Sequence, residues 1–229
     1  MNIEKKSTNL KVVWCGYRSW SMKMLELTRG VEIIASFSDP DEFSNFMKKD
    51  NGIEVIVVAG WSWKISEHII DKYICIGLHP SDLPSYRGGS PLQHQIMAGL
   101  ENTQLSLFKL TKNFDDGPVL AKSPMSLLGN MDEIFEELVI VGSNLLNTTF
   151  AKWPNWKFEK QNQLSEKQYK RRKPEQSRIN IKEIQTMTLK DLYNFIRALG
   201  DPYPNAFIED EKGNRLLFKE VEYKQSESN

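Results

Sequence analysis

The chain has 229 residues, enough for one large domain or a medium domain with an appendage, and enough to bury a core without disulfide staples. Thirty basic and thirty acidic residues cancel to a formal charge of zero. Nothing global therefore attracts a polyanion such as tRNA or DNA, and a small-molecule substrate is expected, with no nucleic-acid partner.

The N-terminal stretch MNIEKKSTNLKVV holds charges but no apolar signal core, and no later apolar run approaches the roughly twenty residues that span a bilayer. The expectation is a soluble, cytoplasmic protein with no membrane partner. LKVVWCGYRSWSMKMLELTRG predicts a strand, a turn at Gly16 and a helix stopping at Gly30. VEIIASFSD, DEFSNFMKKD and EVIVVAG repeat strand, helix and strand, and YICIGLH adds another apolar strand. Cys15 and Cys75 lie in these inner strands as buried thiols rather than a bridge. Continuous apolar strands alternating with helices predict an α/β, Rossmann-like, mostly parallel sheet with helices on both faces. Ligands in such sheets sit beyond the carboxyl ends of the strands, where GYRSWS, GWSW and LHPSDLP all fall.

SPLQHQIMAG predicts a helix with Ser90 as N-cap, Pro91 as first helical residue and Gly99 as stop. LSLFKL and PVLAKSPM, either side of FDDG, predict an antiparallel pair. NMDEIFEELVIVGSNLLNTTF reads as a long helix with Asn130 and Glu133 at capping-box spacing, closing a first domain over residues 1–158. Residues 159–180 are polar and aperiodic and predict a connecting loop, with the KRRK run as a solvated face ahead of a grip on a phosphate backbone. TLKDLYNFIRALG predicts a helix capped by Thr188, and NRLLFKEVEY a strand, giving a small C-terminal α+β subdomain over 181–229.

His79 is the first candidate for chemistry, because an imidazole exchanges a proton near neutral pH and here follows a buried strand. Pro80 and Pro84 stiffen the loop after it, Arg87 offers a cationic fork, and Gly88 and Gly89 permit close backbone approach. In NFDDG a carboxylate beside an imidazole would orient it, although turn chemistry alone also places aspartate before glycine. Arg18 with Ser19 and Ser21 at a helix start would receive a pyrophosphate, or else form an ordinary N-cap. Three histidines and two cysteines at no ligand spacing predict no metal site. Neither GxSxG nor GxxxxGK[ST] occurs.

The run HPSDLPSYRGGSPLQHQIMAG followed by FDDGPVLA resembles the folate-dependent formyltransferase family, whose pattern is Asn-x-His, a leucine-proline-x-tyrosine-arginine-glycine loop, and Asp-x-Gly in a hairpin. RRKPEQSRIN and NFIRALGDPYPNAF look like the carboxyl-terminal region of its members that act on nucleotide-linked amino sugars or methionyl-tRNA. The resemblance implies formyl transfer from N10-formyltetrahydrofolate to a primary amine, with no metal. It matches the catalytic histidine to His79 and the aspartate to Asp115, and puts Asp116 at the variable position. On the same footing Trp61, Trp63, Ser81, Leu83, Arg87, Gly88 and Asp116 would meet the folate, the tryptophans as pterin walls or else as core packing. Arg18, Ser19, Tyr86 and Gln93 would meet the acceptor.

The family asparagine falls on Gly77, which has no side chain to hold the formyl oxygen. Losing such a donor typically costs about a hundredfold to a thousandfold in rate. Asn113, Gln93, a water or a protonated His79 would substitute, and the sequence does not choose among them. Charge and length favour a nucleotide-linked amino sugar, as used for bacterial surface polysaccharide such as lipopolysaccharide O-antigen. The tRNA-acting relatives resemble this chain but carry a larger carboxyl-terminal domain, and the glycinamide ribonucleotide enzymes lack the RRKPEQSRIN region. Relatives of this type often pair, so the resemblance implies a homodimer. Gly77 also motivates a second class of reading, a formyltetrahydrofolate hydrolase or a non-catalytic folate-binding protein.

Overall fold

A computed structural model describes residues 10–49, 51–162 and 167–226; the N-terminal stretch before Leu10 and part of the connecting loop lie outside the described residues. Six strands form one sheet: β1 (Lys11–Cys15), β2 (Glu32–Phe37), β3 (Val55–Val58), β4 (Ile74–His79), β5 (Asn102–Lys109) and β6 (Val119–Ser126). Their order is β2-β1-β3-β4-β5-β6, parallel through the first four, with β5 and β6 antiparallel at the far edge. The expected Rossmann-like architecture and edge hairpin are both present.

The apolar strands are continuous because both faces are covered. Val12, Trp14, Val55, Val57, Ile76 and Leu78 point into one core, while Val13, Cys15, Ile56 and Cys75 point into the other. Burial pushes both thiols above their ordinary range, so they stay protonated. The first core lies under α1 (Ser19–Leu27) and α5 (Met131–Phe150), which pack on one another. The second lies under α2 (Pro40–Phe46) and α3 (Glu67–Lys72), which supply Phe43 and Ile69. Asn130 and Glu133 form the expected capping box at the start of α5.

α4 (Pro91–Met97) starts at proline as expected, but Ser90 caps nothing. It is left-handed at φ 55°, and its hydroxyl instead accepts the backbone N–H of Arg172 at 3.1 Å. The C-terminal part holds a 3-10 turn (Pro174–Ser177), the short α6 (Ile181–Ile184), α7 (Leu189–Arg197) and a hairpin of β7 (Ala206–Glu209) and β8 (Arg215–Phe218). α7 packs on α4, and buried Arg197 donates to the carbonyls of Leu127 and Gly129, which fastens this part to the end of β6. Among the described residues no helix is long and apolar enough to cross a membrane.

Candidate active site

His79 is the last residue of β4 and is 6% exposed. The loop after it is fixed by its own polar groups. Ser81 Oγ donates to Ser85 O at 2.6 Å, Ser106 Oγ to Ser81 O at 2.7 Å, and Gln95 Nε2 to Pro80 O at 2.7 Å. This loop returns to put the Tyr86 carbonyl 3.0 Å from His79 Nε2. A carbonyl only accepts, so Nε2 carries a proton and the other ring nitrogen is left for chemistry. Nδ1 faces Asp115 Oδ2 at 3.6 Å. The imidazole is therefore oriented by the backbone of Tyr86, while the carboxylate stands on its reactive side.

Asp115 sits in the β5–β6 turn at φ 52°, and its Oδ2 also accepts the N–H of Gly88 at 2.9 Å. Its neighbour Asp116 does not face the site. The Asp116 carboxylate accepts from the Thr111 hydroxyl and, at 2.7 Å, from Asn113 Nδ2, closing the turn. Gly117 is required there, since a Cβ would stand 1.7 Å from Lys109 O.

The stretch expected to be a connecting loop binds both halves of this arrangement. Gln161 Nε2 donates to the carbonyls of Asp115 and Gly117 at 2.9 and 2.7 Å. Tyr169 donates its N–H to Arg87 O and accepts the N–H of Gly89, both at 2.8 Å, and its ring stacks on Tyr86 at 4.9 Å. Gly88 and Gly89 do serve close backbone approach, but the backbone that approaches is the chain's own. A Cβ at Gly88 would lie 2.2 Å from Tyr169 O, and one at Gly89 2.4 Å from Arg171 Cα.

Two cavities meet at His79. The first, about 560 Å³, is walled by Trp61, Trp63, Gly77, Phe108 and Asp115, with Lys64 and Lys112 also in its lining. The second, about 320 Å³, is walled by Trp20, Gln93, Phe135 and Tyr203 and carries four cations, Arg18, Arg171, Arg172 and Lys173. No aspartate or glutamate lines it. His79, Trp61 and Gly88 border both.

Residues 31–136 match the family model described as "Formyl transferase". That span contains His79, Asp115 and the loop between them, the three parts whose mutual geometry forms the site. These residues are similar to a formyl transferase domain. Similar to it is the methionyl-tRNA formyltransferase of Rhizobium meliloti (strain 1021), 31% identical over 84% of this chain and 62% of that protein. The chain thus spans less than two thirds of the curated relatives it matches first. Among solved structures, methionyl-tRNA formyltransferase from Clostridium thermocellum superposes with a TM-score of 0.81 at 29% identity, covering 94% of each chain. A sugar N-formyltransferase from Shewanella sp FDAARGOS_354 superposes at 0.72 and 15% identity, covering 95% of this chain and 99% of that one.

The expected site residues divide between the two cavities, with His79, Trp61 and Gly88 bordering both. His79, Asp115, Trp61, Trp63 and Gly88 line the first cavity; Arg18 and Gln93 line the second. Ser19, Ser81, Leu83, Tyr86, Arg87 and Asp116 line neither. Ser81 is spent inside its own turn, Leu83 is buried in the core, and Tyr86 acts through its carbonyl. Ser21, expected beside Arg18, is buried and donates to Ala59 O at 2.6 Å, so it receives no anion. The sequence offers no signal for Gln161 or Tyr169, and it reads the arginines of KRRK as solvated ahead of a grip on phosphate. The charge run was the one signal, and it read as solvated because nothing local says what lies beneath it.

Gly77 lies on the same face of β4 as His79, opposite Phe108 of β5. The volume that an asparagine side chain needs there is taken by the Phe108 ring and by Leu110. Among the described residues no group of three or more His, Cys, Asp or Glu is placed to hold a metal.

Proposed function

We propose that this chain transfers a formyl group from N10-formyltetrahydrofolate to a primary amine. The observation that carries the reading is His79 at the junction of two cavities, with Asp115 on its free nitrogen. The first cavity suits the folate: its volume is in the range of small-molecule sites, Trp61 and Trp63 offer flat apolar walls, and Lys64 and Lys112 suit an acidic tail. The second then takes the amine. The co-substrate supplies the formyl carbon already activated.

Attack by the neutral amine forms a C–N bond and sends the carbonyl electron pair onto the formyl oxygen. Asp115 accepts the proton released from the amine. Nδ1 of His79 takes that proton from Asp115, stabilises the oxygen, and delivers the proton to the departing folate nitrogen as the carbonyl reforms and the bond from the formyl carbon to the folate breaks. The clamp from Gln161 and Tyr169 keeps these groups aligned through both steps.

The acceptor we favour is a nucleotide-linked amino sugar for surface polysaccharide. Four cations without a carboxylate in the second cavity suit a diphosphate, and the zero net charge of the chain gives no wider attraction for a polyanion. A second reading, methionyl-tRNA, is favoured by the Rhizobium meliloti and Clostridium thermocellum relatives. Length does not separate the two, because the Clostridium thermocellum chain is of matching extent. The test is release of tetrahydrofolate from N10-formyltetrahydrofolate, run alone, with a panel of amino-sugar nucleotides, and with methionyl-tRNA. Release that requires an amine supports a transferase and names its acceptor. Release without one means a hydrolase, and tight folate binding without release means a binding protein, the outcome Gly77 makes worth testing.

A further inference from the structure

Gln93, on α4, is 1% exposed, yet neither its Oε1 nor its Nε2 has a hydrogen-bond partner. Its neighbour Gln95, equally buried on the same helix, shows how such an amide is ordinarily accommodated. Gln95 Nε2 donates to Pro80 O and Pro91 O at 2.7 and 3.0 Å, and its Oε1 accepts from the Thr103 hydroxyl. A buried polar group left unpaired costs about 1–3 kcal/mol, which leucine or methionine at 93 would avoid. The site keeps the amide, and it borders the second cavity, which His79 and Pro80 also line. The competing amide, Asn113, has its Nδ2 committed to Asp116 at 2.7 Å.

We propose that the Gln93 side chain is a catalytic group that pairs with the reacting N–C–O unit and supplies the hydrogen bond missing at Gly77. This rests on the formyl-transfer reading above. Oε1 accepts an N–H of the attacking amine, and being neutral it holds that amine without protonating it. Nε2 donates to the formyl oxygen as charge gathers there. The nitrogen and oxygen on the reacting carbon are spaced as the two ends of an amide are, so one primary amide meets both at once. Bonding to each strengthens as the amine nitrogen turns positive and the oxygen negative, which is stabilisation of the transition state over the ground state. Gln93 neither gains nor loses a proton; the amine proton still passes to Asp115.

The experiment compares wild type with Gln93→Leu and Gln93→Met, two apolar replacements of similar volume, using the amine on which wild type turns over. Three quantities are read: kcat, the Kd for N10-formyltetrahydrofolate, and Tm. The expected result is a fall in kcat of roughly a hundredfold to a thousandfold. Donor Kd should stay within about threefold, because Gln93 does not line the first cavity, and Tm should hold or rise. If either variant keeps kcat within about threefold of wild type, Gln93 does not act on the reacting atoms and the proposal falls. It falls equally if both variants lose donor affinity or Tm along with kcat, since that marks a structural role. Wild type that binds the donor but formylates no amine overturns the transfer reading itself, and it does so before any variant is made.

Discussion

A β-carbon built on Gly77 would stand 2.6 Å from Cε1 of Phe108, its direct partner across the β4–β5 ladder. The backbone of Gly77 lies outside the left-handed region, so the obstacle to a side chain here is packing and not torsion. Gly77→Asn should therefore destabilise the fold by roughly 1–3 kcal/mol through overpacking, and should raise no activity. Gly77→Asn with Phe108→Val should recover most of that loss, because the two positions share one volume. Denaturant melts of the single and double variants measure the coupling. Additive losses would mean that the ring yields freely.

His79→Asn and Asp115→Asn should each lower kcat by about a hundredfold to ten-thousandfold while the circular dichroism spectrum stays unchanged. Asparagine at 115 can still accept the Gly88 N–H, so the hairpin keeps its tie to the loop while losing the proton acceptor. Near wild-type turnover in either variant would remove that residue from the chemistry.

Gly88→Val meets two obstacles at once, a φ of +104° and the Tyr169 carbonyl. The expected outcome is release of the 167–172 segment rather than unfolding of the sheet. Hydrogen exchange at Gly89 and Tyr169, whose amides are paired in the wild type, should quicken sharply while strand amides stay protected. Unchanged exchange at these two amides would show that the segment is held elsewhere.

The same segment carries a pH dependence. His94 Nε2 donates to Lys170 O at 3.0 Å, and burial, with Arg172 and Lys167 nearby, lowers this histidine below its ordinary value of 6.5. The folded protein thus binds fewer protons here than the unfolded chain. Its contribution to stability is present above pH 6.5 and is lost as pH falls through the lowered folded value. Exchange at Tyr169 and Gly89 should speed up on acidification, and His94→Gln should flatten that response. A variant retaining the full pH response would assign it to another group.

The sheet was legible because Val12 through Cys15, Val55 through Val58 and Ile74 through Leu78 are apolar at consecutive positions, which only burial on both faces explains. The capping box of α5 was legible because both partners are three residues apart. His79 was legible from its place between a buried strand and a stiff loop, and a resemblance in motif order picked Asp115 out of the acidic pair. What sequence did not yield depends on distant chain segments. Ser90 reads as an N-cap, but Arg172 claims its hydroxyl. KRRK reads as solvated, but the pairing of Tyr169 with Gly88 draws Arg171 and Arg172 onto a cavity wall. The loop residues Ser81 and Leu83 look as available as their neighbours until the turn closes on itself and spends them.

The tie between Tyr169 and the glycines at 88 and 89 sets the order in which this molecule becomes competent. The sheet that bears His79 ends at Ser126, so on the ribosome the histidine can be seated on its strand long before the segment that walls it has been translated. Bridging so wide a sequence interval is a slow, non-local step, and it comes after the local strands and helices have formed. A chain that has formed the sheet but not this tie is structured yet catalytically unfinished.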